Sequence, residues 1–428
     1  MIYDCCIVAD ELDLLELRMR ILDSVVDRFV VCESPFTFRG APKPLAFSAA
    51  GERFAPWSSK IVALVYPGPA SADPWENEFG QRDYLAQALD GCAGDDLILL
   101  SDADEIPDPA NAGQRPRHKP LLGHRQRLSI GYVNRIWPEP WIGTRSLTFA
   151  ELEKFGKFSQ LRMRGESELE VVDGGWHFSA LGGAAAYRRK MKTYAHSEYD
   201  LPYFTDARRL ELTIDDESEA KWIPLDESFP QVLREPRWAA YVWKKPAPAD
   251  RAATAALEHA HGCFAYVPAD AESVAVIGAG AAWLEAGRER FGERFAGTNL
   301  EGAQWVVIDG LQNVGQSVLA RLRNSGARLV AHARNARSFR SFEDALGGKP
   351  FPPGRALGRR EYEAIAFAYG RLAGIDRLQT RGAFTPWSRM PEVISNAWLG
   401  DFGFARTTRE AVADFLAEAF ILRLEPAQ

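Results

Sequence analysis

The stretch Asp96–Pro109, DLILLSDADEIPDP, passes in one step from an unbroken apolar run to a cluster of carboxylates. Leu97, Ile98, Leu99 and Leu100 have no polar residue among them, the pattern of a strand covered on both faces in a parallel sheet. In an open α/β sheet the ligand crevice lies outside the carboxyl ends of the strands, and Asp102 and Asp104 follow this run at that end. Two carboxylates one residue apart can face one divalent cation. Mg²⁺ or Mn²⁺ accepts such oxygen ligands while keeping sites for phosphate oxygens and water. Glu105 adjoins the pair, placed to tune the site or receive a hydroxyl proton. Acidic turns are also common on solvated faces and at helix starts, so the position after a buried strand carries more weight than the spacing.

Working outward, apolar runs alternate with amphipathic segments: residues 2–8, a helical pattern over 11–24, runs at 28–32 and 60–65, and a helix near 75–90. Leu12, Leu15, Met19, Leu22 and Val26 form the stripe of the first helix, with Asp10 placed to cap it. This rhythm predicts an α/β fold with a doubly wound, mostly parallel sheet. Residues 108–120 read as loop. A change of composition around KKPAPAD predicts a boundary near 245–255, giving a catalytic domain over 1–245 and a smaller α/β accessory domain over 255–428, one that selects the acceptor or braces the catalytic domain. In the second part SVAVIGAGAAW offers a strand and turn with Gly278 and Gly280. The third fingerprint position holds Trp283, whose bulk argues against a dinucleotide site. Asp309 ends the WVVID run as a ligand contact or, followed by Gly310, as an ordinary turn. The segment REAVADFLAEAFILRL reads as a closing amphipathic helix.

Further side chains join the candidate list. His177, in GGWHF, reads as a metal or phosphate ligand or as a hydrogen-bonded packing residue, and Gly174 and Gly175 beside it point to close backbone approach. Glu33 ends the RFVVC run, either at the crevice rim facing a nucleotide or as the cap of a following turn. Arg82 follows Glu78 by four residues, a spacing that serves a surface pair or a phosphate-facing arginine. Lys43 sits in a loop stiffened by two prolines. Arg188, Arg189, Lys190 and Lys192 cluster on a helical segment, facing phosphate or, for most of them, forming a solvated face.

Composition bounds the function. Asp plus Glu total 58 against 51 Lys plus Arg, a formal charge of -7 that gives no reason to expect nucleic acid. Five cysteines without metal or redox spacing fit a reduced interior. Acidic residues at Asp4 and Asp10 break any signal-peptide core, and no 18-residue apolar stretch follows, so a transmembrane segment is not expected. The expected location is cytoplasmic, with peripheral contact at the inner face of a membrane left open.

YDCCIVADELDLLELRMRIL, DRFVVCESPFTFRGAPKPL, RDYLAQAL, DDLILLSDADEIPDP and GGWHFSALGG with YAHSEYD, in this order, resemble glycosyltransferase family 17, the beta-1,4-mannosyl-glycoprotein beta-1,4-N-acetylglucosaminyltransferases, over about residues 1–245. The resemblance implies a GT-A-like fold and an inverting, metal-dependent transferase with UDP-N-acetylglucosamine as donor and a carbohydrate hydroxyl as acceptor. It places the metal on Asp102 and Asp104, with Glu105 adjoining; on the residue reading His177 is a further candidate ligand, and Glu11, Glu33, Lys43 and Arg82 are the candidate donor contacts. The family's opening motif often reads Asn-Glu-Leu, whereas this sequence has Asp10-Glu11-Leu12. Glu198, Asp200, Asp173 and Glu105 are the candidate catalytic bases, with Glu198 narrowly preferred. The competing accounts are a metal-dependent nucleotidyltransferase or nucleotide-sugar hydrolase, and a noncatalytic carbohydrate-binding protein.

Overall fold

The computed structural model describes residues 1–69, 71–215, 220–244, 250–278, 280–334, 359–378, 417 and 419–426. The chain forms two compact units: Met1–Asp200 with Leu210–Arg251, and Leu201–Arg209 with the residues from Ala252 onward.

In the first unit the apolar runs become strands β1 (Ile2–Ile7), β2 (Arg28–Glu33), β3 (Ile61–Val65) and β4 (Leu97–Asp102). They lie side by side in the order β3-β2-β1-β4, all parallel. Alternate side chains go to opposite faces: Cys6, Val31 and Leu99 join one core with the Leu12–Leu22 helix, while Cys5, Val30 and Leu100 join the other. Burial on both faces explains why these strands read as continuous apolar runs. Cys5, Cys6, Cys32 and Cys263 are buried free thiols.

Beyond β4 the sheet turns antiparallel. β5 (Glu105–Pro107), β6 (Leu122–Ile130), β7 (Arg135–Ile136), β8 (Trp141–Thr148), β9 (Glu170–Ser179) and β10 (Lys221–Trp222) complete a mixed, ten-stranded, GT-A-like sheet. β8 pairs antiparallel with β4, and β9 pairs parallel with β6 and antiparallel with β5. Gly175 has φ +110°, and a Cβ there would lie 2.4 Å from the Ile106 carbonyl oxygen, so the close approach of β9 to β5 requires glycine.

The second unit carries the smaller α/β sheet. Strands β11 (Val274–Ile277), β12 (Trp305–Asp309) and β13 (Arg328–Arg334) are parallel, followed at the edge by antiparallel β15 (Ala419–Pro426) and β14 (Gly370–Leu378). Val306, Ile308, Leu329, Ala331, Phe420 and Leu422 are fully buried in it. The closing-helix expectation is corrected from Ala419 onward, where the chain is strand. A short apolar run has no decisive period of its own, and pairing with both β13 and β14 settles it. The earlier part of that segment, residues 409–416, lies outside the described residues. No helix of the described residues is long and apolar enough to cross a membrane.

Candidate active site

From β1 the chain winds outward through β2 to β3, then returns across β1 to β4. The order therefore reverses between β1 and β4, with Ile7 beside Asp102 at their carboxyl ends. Open α/β sheets bind their ligands at such a switch point, and the acidic turn stands at this one.

The turn is held from below. Arg18, on the Leu12–Leu22 helix and fully buried, donates from Nε to Asp4 Oδ2 at 2.7 Å and from Nη2 to Asp4 Oδ1 at 2.5 Å. The same guanidinium donates to the Glu105 carbonyl at 2.6 Å, the Asp102 carbonyl at 3.3 Å and the Ser101 hydroxyl at 2.7 Å. One cation thus ties the first helix, β1 and the 102–105 turn together.

The three carboxylates of the turn divide their work. Asp102 accepts from Arg82 Nη2 at 2.6 Å and from Arg162 Nη2 at 3.2 Å, and its side chain is 34% exposed. Burial raises its pKa, but Arg82 and Arg162 more than offset this and hold the carboxyl at about 2. Glu105 is wholly buried: it takes an Arg162 N–H, the Trp141 indole N–H at 2.6 Å and the Asp102 backbone N–H at 3.1 Å. Asp104 accepts from Lys190 Nζ at 2.8 Å, and His177 Nε2 lies 3.4 Å from the same oxygen. Burial opposes the Asp104 charge too, yet Lys190 and His177 hold its carboxyl well below the usual carboxylate range. The β5–β9 register, which sets Glu105 opposite His177, brings the imidazole to this turn.

The expected residues therefore separate. Asp104 and His177 come together, whereas Asp102 faces two arginines, and the three do not assemble as one ligand set. Arg82 is neither a surface pair nor open to solvent: it is 2% exposed and bridges Glu78 and Asp102. Glu33 serves as a cap, accepting from the backbone N–H groups of Phe47 and Ser48 at 3.1 and 2.8 Å and from the Ser48 hydroxyl. Lys43 Nζ donates to the Ala9 carbonyl at 3.1 Å, bracing the loop after β1. Glu11 stands at that loop, exposed, its carboxylate accepting from the Ala9 and Asp10 N–H groups.

Among the candidate bases, Glu105 is removed from any acceptor by burial and by its three donors. Asp173, 78% exposed, pairs with Arg125 and lies four residues along β9 from His177, roughly 13 Å away at strand spacing. Asp200 pairs with Arg39, which also holds the Met191 and Tyr194 carbonyls. Glu198 lies on the turn after the Gly183–Thr193 helix, 2.7 Å from His196 Nδ1.

Sequence reasoning missed Arg18, Arg162 and Trp141, and did not single out Lys190 within its basic cluster. Their signals were weak: Arg18 lies on an otherwise buried helix stripe, and Lys190 differs from its basic neighbours only by facing Ser179 and Asp104. The result is a nearly neutral site, with three carboxylates met by Arg82, Arg162 and Lys190. Lys190 is the most exposed of the three cations, at 33%.

The second unit holds a separate polar group. Ligand atoms of His259, Asp309 and His332 all lie within 4.8 Å of one another, a group able to hold a metal ion. Trp283, at the position where a dinucleotide fingerprint requires glycine, packs edge-on against His259 with ring centroids 5.5 Å apart.

The family model of glycosyltransferase family 17 matches residues 1–234. The human beta-1,4-mannosyl-glycoprotein 4-beta-N-acetylglucosaminyltransferase is 37% identical over 109 residues, covering 23% of this chain and 20% of that protein. The Rattus norvegicus protein of the same name is 37% identical over 106 residues, with the same coverages. The aligned stretch thus spans about a fifth of the length of these relatives. Likeness to solved structures is slight: the crystal structure of HddC from Yersinia pseudotuberculosis gives a TM-score of 0.26 at 14% identity, over 42% of this chain and 89% of that one.

Proposed function

We propose, from the premise that this chain belongs to glycosyltransferase family 17, that its first unit transfers N-acetylglucosamine from UDP-N-acetylglucosamine to a hydroxyl of a carbohydrate acceptor, with inversion at the anomeric carbon. The observation that carries this reading is the Asp102–Ala103–Asp104 turn at the carboxyl end of β4, beside the end of β1 where the strand order reverses. The names of the relatives support the donor and acceptor classes.

In the proposed reaction the acceptor oxygen attacks the anomeric carbon as the bond to the diphosphate oxygen breaks. The acceptor proton passes to a carboxylate, and the diphosphate leaves with the bonding pair. Glu198 is the proposed base, on the turn after the helix that carries Lys190. Lys190 is the proposed partner of the leaving diphosphate, exchanging Asp104 for phosphate oxygens. Arg82 and Arg162, themselves paired with Asp102 and Glu105, hold the turn in place without reorganising. Asp104 and His177 offer one carboxylate and one imidazole, donors that suit Mn²⁺, and these two would hold a divalent cation. Such an ion supplies Lewis-acid stabilisation of charge on the leaving group.

The test pairs UDP-N-acetylglucosamine with glycans ending in beta-linked mannose, with and without Mn²⁺ or Mg²⁺, and identifies the products. A glycoside and UDP are expected. Pyrophosphate release would make the protein a nucleotidyltransferase, and acceptor-independent products a hydrolase. Asp104→Asn, nearly isosteric, is expected to lower kcat/KM about 10²- to 10³-fold, far more than the stability lost with the Lys190–Asp104 ion pair accounts for. Absence of binding to every uridine nucleotide with either cation would defeat the donor assignment.

A further inference from the structure

We infer that the second unit contains a transition-metal centre of the zinc class, built from His259, Asp309 and His332, three ligands that lie outside the family-matched residues 1–234. The three side chains come from different elements. His259 lies on the Arg251–Phe264 helix, Asp309 ends β12, and His332 lies on β13, directly paired with Asp309 in the sheet register. The site therefore stands beside the carboxyl ends of parallel strands, the place where an α/β sheet presents its ligands.

The distances suit a small ion. Two ligands bound to zinc at 2.0–2.2 Å in a tetrahedron stand about 3.4 Å apart. Here His332 Nδ1 is 3.5 Å and His259 Nε2 is 3.8 Å from the same oxygen, Asp309 Oδ1. The imidazoles meet edge to face, with centroids 4.5 Å apart and planes at 77°. Both imidazole-to-carboxylate edges lie within a few tenths of an ångström of that tetrahedral spacing, and the edge between the imidazoles is within 4.8 Å.

Two further observations point to a ligand. His332 Nδ1 is buried and has no hydrogen-bond partner, an arrangement that costs free energy unless something fills it. His259 Nδ1 is 2.8 Å from the Tyr203 hydroxyl, the outer contact by which metal-binding histidines are oriented, and this turns Nε2 toward Asp309. Trp283 backs the His259 ring and fixes its plane. Two imidazoles and one carboxylate favour Zn²⁺, Co²⁺ or Ni²⁺ over Mg²⁺ or Ca²⁺, which prefer all-oxygen shells. These three meet one another, and the buried Cys263 thiol stands 3.9 Å from His259 Nε2, so the fourth position falls to that thiol or to water.

The test uses the whole chain, stripped with a chelator and titrated with Zn²⁺ and Co²⁺. One tightly bound equivalent is expected, with tetrahedral Co²⁺ absorption in the visible. Asp309→Asn and His332→Gln should each weaken binding at least a hundredfold, with unchanged far-UV circular dichroism and unchanged affinity for UDP. Zinc-edge X-ray absorption of the wild-type chain should show two imidazoles, a readout independent of whether the variants fold. Fewer than two imidazoles, no stoichiometric binding, or binding that survives both substitutions and disappears in His177→Gln would overturn the inference. Loss of glycosyl transfer alone bears on the first unit and not on this site.

Discussion

Replacing Arg18 with methionine tests whether the acidic turn is held from beneath by a buried cation. The side chain is fully buried, and its principal partner, Asp4, is 1% exposed. Losing the guanidinium leaves the Asp4 carboxylate without its ion-pair partner and out of reach of water, and breaking a buried pair in this way costs about 3–5 kcal/mol. The other lost bonds add little. Ser101 retains its contact with the Thr144 hydroxyl at 3.1 Å, the Glu105 carbonyl still accepts from Thr144 at 3.1 Å, and the bond to the Asp102 carbonyl is long at 3.3 Å. A total near ~4 kcal/mol, at about 2–4 °C of Tm per kcal/mol for a unit of this size, corresponds to a fall of roughly 8–16 °C in calorimetry. The companion Asp4→Leu/Arg18→Met variant removes both charges and should recover stability to within about 1 kcal/mol of wild type, because an apolar pair of similar volume replaces the salt bridge. It should still bind UDP more weakly, since the 102–105 turn has lost its tether. A cost below about 1 kcal/mol for Arg18→Met alone would show that solvent or another group satisfies Asp4, and would refute the reasoning.

Two other substitutions separate structural from functional charge. Lys190→Met removes a cation that holds the Asp104 carboxyl below its unfolded value. The stability difference from wild type should be complete above about pH 4, where the unfolded carboxylate is ionised, and should shrink as pH falls toward the depressed folded pKa; urea titrations from pH 7 to pH 2 measure it. A difference that instead grows on acidification would remove Asp104 as the linked group. Glu33→Ala deletes the acceptor for two backbone N–H groups and the Ser48 hydroxyl, so a loss of about 1–2 kcal/mol is expected with the donor KM unchanged; a raised KM at unchanged stability would return Glu33 to the donor site.

The α/β class, the four parallel strands β1–β4 and the placing of the acidic turn at the end of β4 were legible in the chain itself. Parallel strands covered on both faces must be apolar at every position, and LILL before DAD carries that requirement openly. The double glycine at 174 and 175 likewise announced close approach, since only glycine tolerates both that φ and the neighbouring Ile106 carbonyl. Composition and period do not record which charge meets which. Asp102 and Asp104 look equivalent in sequence, but β4 aims the first at Arg82 and Arg162, while β9 and the Gly183–Thr193 helix bring His177 and Lys190 to the second. Glu33 and Arg82 were visible as polar residues at the right places, yet a nearby helix start took the first and the Glu78 and Asp102 carboxylates the second. The His259, Asp309 and His332 group lay furthest from sight. Its members are 50 and 23 residues apart, on a helix and two strands, and only β12–β13 pairing with the helix laid beside it gives them a common centre. Local sequence sets period and burial over a few residues, whereas a site assembled from distant segments exists only once the sheet register has set which side chains are neighbours.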